Sequence, residues 1–448
     1  MPISQLKETS SRWNFLSKVD LLGALDFWTL SISLDSLHPK EATGLTVADI
    51  PSKGAPSLRF EEYERKKKVL TLAAHEYAHF VDATSTLWGL HHLNAINVCN
   101  ALNVVKEEQF HVLKRSHDYM RSIRLPDYYT TVDQSLPAAT PWLSAVSSGV
   151  LFSSEGRLTD RPLIFVNFFN ADEKRLVRSP LSMVSLLEAS AMAKEIEVRF
   201  GLLHQLPEAE RIVEQKQLKD ELLSYLYNPE ITEYSACFHL MANVQNEKDI
   251  GITSHGVGIL SRTVLNAPTI AFNTAAKNIK PFADLMNLAV DDLEVQRVQK
   301  ALEQGNRGAL FYLLVVLLPK NTLKSEQMFY FGLEKALKIV GLSFEKLRRG
   351  AFVEAHRLHD ELSKSDLVSI RVLARCGHEN FQKIFPNGMA YNFGELSLPP
   401  AVLGDDDMTK YVFNASEQNQ LAQFDLDAAY DELVMCQLRA ENFAEACI

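Results

Sequence analysis

Residues Val69–Val81 read VLTLAAHEYAHFV, and the rest of the chain is best understood outward from them. The stretch holds no proline or glycine, and Glu76 is its one charged side chain. It therefore reads as the buried second half of a helix running from near Phe60 to about Thr84. His75 and His79 stand four apart, on one face of that helix, where two imidazoles reach a single tetrahedral metal ion. Glu76, beside the first histidine, is placed to take a proton from a water held by such an ion. An isolated carboxylate in an apolar helix is costly to bury unless compensated, and a neighbouring divalent cation is an effective compensator.

With uncharged Ala73, Tyr77, Ala78 and Phe80 around them, His75, Glu76 and His79 resemble the active-site helix of zinc metallopeptidases of the zincin class. The longer metzincin signature HExxHxxGxxH is absent, because Asp82 and Ser85 stand where its glycine and third histidine would be. The third ligand must come from elsewhere. In Leu181–Ala193, LSMVSLLEASAMA, the only charged residue is Glu188. Two distant apolar helices, each with one lone carboxylate, are the arrangement expected of a His, His, Glu zinc site of the gluzincin type. In that group the residue four beyond the ligand glutamate is often an aspartate that orients a zinc-bound histidine; here it is Met192. Asp82, His91, His92, Glu195 and Glu233 are the reserve ligands. The resemblance also implies a donor for the charge that develops on the scissile carbonyl oxygen. Tyr234, in PEITEYSACFHL, is the first candidate and His255 the second.

Elsewhere, Trp28–Leu34, WTLSISL, alternates apolar and polar residues with the period of a half-buried strand, and Pro162–Phe169, PLIFVNFF, reads as a strand buried on both faces. Between them, His38–Pro56 reads as a loop, and Leu125–Gly149, dense in Pro, Ser, Thr and Tyr, as a longer one suited to a lid or to substrate contact. Helical patterns follow from Pro180 to Phe200, Pro207 to Tyr227 and Pro229 to Asn243, and Gly251–Gly258, GITSHGVG, reads as a tight loop. Beyond Asn266 amphipathic helices are separated by breaks at Glu303–Gly308, Pro319–Asn321 and Gly341. An irregular tail is expected around Pro399–Asp407 and a last helix from Glu417 onward.

Composition narrows the function. The 448 residues carry 46 basic and 56 acidic side chains, a formal charge of -10, with no stretch basic enough to follow a phosphate backbone, so nucleic acid is not an expected partner. The basic run Arg65–Lys68 follows Glu61, Glu62 and Glu64 and reads as a solvated helix face. Cys99, Cys237, Cys376, Cys436 and Cys447 are scattered and read as reduced thiols of a cytoplasmic chain. Lys7, Glu8, Arg12 and Lys18 interrupt any secretory signal, and the most apolar run, Ala309–Leu318, is too short to span a bilayer, so no membrane partner is expected.

Competing chemistries are weaker. Glu76/His79 and Glu108/His111 are both ExxH pairs, as in di-iron carboxylate bundles, but that reading leaves His75 unused and puts Glu108 on a charged face. His356, His359 and Asp360 lie in the charged segment EAHRLHDELSKSD, and Cys376 with His378 lacks further ligands. The expected fold is α+β and predominantly helical, with a zincin-like metallopeptidase domain over residues 1–265 and a helical domain over 266–448 for substrate or partner binding. The expected function is hydrolysis of peptide bonds in a protein or peptide substrate, with zinc on His75, His79 and Glu188 and with Glu76 as general base. A substrate is expected to lie extended along a strand edge, supplied by Pro162–Phe169 or Trp28–Leu34. The competing class is a binding or regulatory protein that keeps zinc as structure without turnover.

Overall fold

A computed structural model describes residues 22–50, 57–100, 107–136, 140–153, 156–404, 412–413 and 425–446. In chain order these form β1 (Ala24–Leu25), β2 (Ile32–Leu34), α1 (Phe60–Thr84), α2 (Leu87–Asn100), α3 (Glu107–Ile123), β3 (Thr131–Val132), β4 (Leu143–Phe152), β5 (Leu158–Phe169) and β6 (Arg175–Pro180). Next come α4 (Met183–Leu203), α5 (Glu208–Leu226), α6 (Thr232–Gln245), α7 (Ile250–Leu265), α8 (Thr269–Lys277), α9 (Lys280–Met286), α10 (Leu293–Glu303) and α11 (Arg307–Leu317). The chain continues with α12 (Glu326–Ile339), α13 (Phe344–Leu362), α14 (Val368–Ile384), β7 (Ala401–Leu403), β8 (Val412–Phe413) and α15 (Leu426–Ala446). The fold is α+β and predominantly helical. No described helix is long and apolar enough to cross a membrane.

Two compact units interleave along the chain, one of Met1–Arg124, Lys194–Gln215 and Val353–Ile448, the other of Leu125–Ala193 and Lys216–Phe352. The boundary expected at residue 265 falls within the second of these.

In the first unit a sheet of order β1-β2-β7-β8 joins distant parts of the sequence: β1 and β2 are antiparallel, while Ser33 and Leu34 pair in parallel with Val402 and Leu403. α1 packs against this sheet, and α2, α3, α14 and α15 complete the helical layer. The two halves of α1 differ as their residues dictate. Its start carries Glu61 and Glu62 near the positive end of the helix dipole, and Lys67 reaches Glu214 at 3.1 Å; from Val69 onward nearly every residue is buried. α14 approaches the end of α1 at backbone distance, since a Cβ on Gly377 would strike the Thr84 carbonyl.

The expected strand Trp28–Leu34 is shorter in the structure, because its first residues form a turn. Asp26 Oδ1 accepts the backbone N–H groups of Trp28 and Thr29, both at 2.8 Å, Leu30 sits at φ 54°, and only Ile32–Leu34 remain as strand. Apolar residues alternate there because the turn itself is buried. The tail near Pro399 is not wholly irregular either, since Ala401–Leu403 are recruited into the sheet as β7. The last helix begins at Leu426, and residues 414–424 lie outside the described residues, as do Lys7, Glu8, Arg12, Lys18 and Cys447.

The second unit is built on an antiparallel sheet of order β3-β6-β5-β4. Pro162–Phe168 of β5 are buried on both faces, as their continuous apolar run requires, with α10 against the strand. Part of the loop expected over Leu125–Gly149 is strand, because β4 from Leu143 to Gly149 pairs in register with Phe169 to Leu163. The tight loop expected at Gly251–Gly258 is helix α7, with Asp249 as its cap, accepting from Ile252 N–H at 3.0 Å. Its Gly256 serves close packing rather than a turn: a Cβ there would meet Leu323. The apolar run Ala309–Leu318 forms most of the buried core helix α11.

Candidate metal centre

α1 brings the HEYAH histidines together as the four-residue spacing demands. The Nε2 atoms of His75 and His79 lie 3.1 Å apart, with the rings edge-on at 80°. Glu188, on α4, joins them: one donor atom from each of the three residues lies within 4.8 Å of the other two. Ligand nitrogens on one tetrahedral zinc, at bonds of about 2.0–2.1 Å, stand about 3.3 Å apart. The observed nitrogen spacing and the His, His, carboxylate donor set therefore fit such an ion. Glu76 and Glu188 are only 5% and 3% exposed, so both carboxylates are held where an unpaired charge is costly.

The ring of His75 is oriented by a residue placed among the reserve ligands. His75 Nδ1 lies 3.1 Å from Glu195 Oε2. An ionised carboxylate only accepts, so Nδ1 carries the proton and donates, which leaves the lone pair of Nε2 directed to the centre. Glu195 follows Glu188 by seven residues, two turns along the same face of α4. It supplies the orienting carboxylate that Met192 cannot. At His79, burial foremost and then the neighbouring His75 ring hold the pKa well below the ordinary histidine value, so the ring is neutral at pH 7 and able to ligate.

The β1–β2 hairpin covers this face of α1. A Cβ on Gly23 would lie 3.2 Å from Glu76 Cγ, so the hairpin backbone rests on the general-base candidate. The Phe27 ring meets His79 edge-on at 6.4 Å, and Phe27 O accepts from His92 Nε2 at 2.7 Å. His92 is thereby a structural residue, its pKa lowered to about 4 by burial. Gly23 and Phe27 escaped the sequence reading because both precede the segment Trp28–Leu34 that reads as a strand. Glu195 carried a usable signal in its spacing from Glu188.

The other candidates are placed as follows. His91 Nε2 pairs with Glu354 at 2.7 Å, and Glu233 accepts from the Ser182 hydroxyl at 2.5 Å just before α4 begins. Tyr234 is buried on α6, Asp82 is buried on α1, and His255 is exposed on α7. His111 is exposed on α3. Cys99, Cys237 and Cys376 are buried. A second histidine group lies on α13 and α14, where His359 and His378 stack at 4.6 Å and the exposed His356 stands 6.1 Å from His378. Comparison with protein-family models, with curated proteins and with solved structures found no match to this chain.

Proposed function

We propose that the chain is a zinc-dependent peptide hydrolase with a centre of the gluzincin kind, in which His75, His79 and Glu188 hold the ion. The observation that carries this reading is the convergence of those three donors, with Glu195 fixing the proton of His75 on Nδ1. A bound zinc ion supplies Lewis acidity, lowering the pKa of water to about 7 and polarising a carbonyl.

The chain's own residues do the rest. Glu76 takes the proton of the attacking water on a carboxylate oxygen and returns it to the leaving amine. Burial beneath the hairpin keeps that carboxylate from bulk water, which strengthens its interaction with the transferred proton. Tyr234 is the proposed donor to the developing oxyanion.

The strand that would align an extended substrate differs from those expected. β5 is paired on both sides by β4 and β6, and β2 by β1 and β7, so neither offers a free edge. β1 has one partner among the described strands and follows Gly23, whose backbone rests on Glu76. We assign the aligning edge to β1. The proposed substrate is a protein or peptide of the cytoplasm, and helices not needed for the chemistry are assigned to its selection or to a partner protein.

Metal analysis and proteolysis assays of Glu76→Gln test the proposal. Retained zinc with turnover reduced by about 10²–10⁴ is the expected outcome. A wild-type chain that takes up no zinc would overturn it, and zinc retention without turnover in the wild type would favour structural zinc in a binding protein.

A further inference from the structure

The residue between Glu76 and Ala78 is a tyrosine whose side chain is fully buried and points away from chemistry toward the far end of the chain. The Tyr77 hydroxyl donates to Pro399 O at 2.7 Å, and its ring meets Phe393 at 6.3 Å and Phe413 at 6.4 Å. On α4, immediately before Glu195, Lys194 is a cation only 3% exposed. Its Nζ donates to Tyr391 O at 2.7 Å and to Glu197 at 2.9 Å, and lies 4.6 Å from the Tyr391 ring centroid and 5.4 Å from that of Phe393. Phe393, 0% exposed, thus touches one residue inside the HEYAH motif and one beside the carboxylate that orients His75.

Building on the proposed metal centre, we infer that Tyr391–Pro399 is a brace between α1 and the Glu195-bearing half of α4, with Phe393 as its central positioning residue and Tyr77 and Lys194 as its attachment points. The physical case rests on what each contact costs to maintain. A buried ammonium persists only where carbonyl, carboxylate and aromatic faces replace its water, and all three are present around Lys194. A buried phenol needs an acceptor, and the Pro399 carbonyl supplies it. Both requirements are met by one short segment, so the lateral separation of the two helices is set by that segment. The His75–Glu195 hydrogen bond spans the same gap. A shift of a few tenths of an ångström there weakens the bond that fixes the ring.

The test is Phe393→Leu in the full chain, read by zinc titration and by the Nδ1–H signal of His75 in metal-free protein labelled with ¹⁵N-histidine. Phe311→Leu, at an equally buried phenylalanine of α11, is the control for lost core volume. The expected result is zinc affinity about tenfold weaker and a lost or averaged Nδ1–H signal in Phe393→Leu, with both unchanged in the control. Tyr77→Phe, which removes one oxygen, is expected to act in the same direction and decides the matter if Phe393→Leu does not fold. Wild-type affinity and an intact Nδ1–H signal in a folded brace variant would overturn the inference. A wild-type chain without zinc uptake would sink the metal reading alone, and the brace would then stand or fall on the Nδ1–H signal.

Discussion

Among the described residues, two groups of histidines sit on helices, and one of them has the makings of a metal centre. His75 and His79 turn nitrogen toward nitrogen, with Glu188 in reach and Glu195 behind one ring. His359 and His378 instead stack face to face at 22°, a geometry that directs their ring nitrogens sideways rather than to a common point. His356 adds an exposed ring whose Nε2 is 3.7 Å from Asp360. Histidine count and proximity are similar in the two places. What separates them is the direction of the lone pairs and the carboxylate within reach, both set by which helix faces meet.

The sharpest way to break this contrast is to remove one ring from each group. His79→Ala is expected to take zinc content from one ion per chain to none, whereas His378→Ala leaves it unchanged; elemental analysis of the purified proteins decides. Acid provides the next largest effect, through the buried His92 that anchors the hairpin over the first group. Its folded pKa of about 4 lies below the ordinary histidine value near 6.5. Between those values the unfolded chain binds a proton that the folded chain does not. Stability is therefore complete above pH 6.5 and falls with pH toward 4, by about 3 kcal/mol in all from this residue. Urea midpoints at pH 7.5 and 5.0, compared between wild type and His92→Asn, measure the share that belongs to His92.

Glu195→Gln preserves the shape of the orienting residue and removes its charge. Zinc affinity is expected to fall by about 10–100-fold, measured by competition with a chromogenic chelator. Smallest of all, His356→Ala, at the exposed ring of the second group, is expected to change stability by less than about 0.5 kcal/mol, within the range of ordinary surface substitutions, and a melting curve checks it.

Why the first group could be read from sequence, and its setting could not, follows from the range of the forces involved. α1 was legible from Phe60 to Thr84 because apolar spacing and the absence of proline and glycine are local facts. Glu188 was legible for a related reason, since one carboxylate in an apolar helix asks for a partner, and the structure brings it to the histidines. The β1–β2 hairpin was misread because a buried turn and a half-buried strand share the same alternation over seven residues. Gly256 punctuates no turn because its need for close packing lies in Leu323, which no local pattern announces. A division at residue 265 rests on the local pattern of amphipathic segments beyond Asn266, while the pairing of Ser33 with Val402 joins residues that no local pattern links.

That last pairing bears on how the protein is made. Synthesis delivers β2 and the whole of α1 to solution long before β7 leaves the ribosome, and the Pro399 carbonyl that receives Tyr77 arrives with β7. Until then a nascent chain carries β2 without its parallel strand partner and Tyr77 of the HEYAH motif without its Pro399 acceptor. Long-range pairing of this kind is slow to form. The motif is settled in its final frame only once β7 has been made, so timing itself withholds an ordered histidine helix from the unfinished chain.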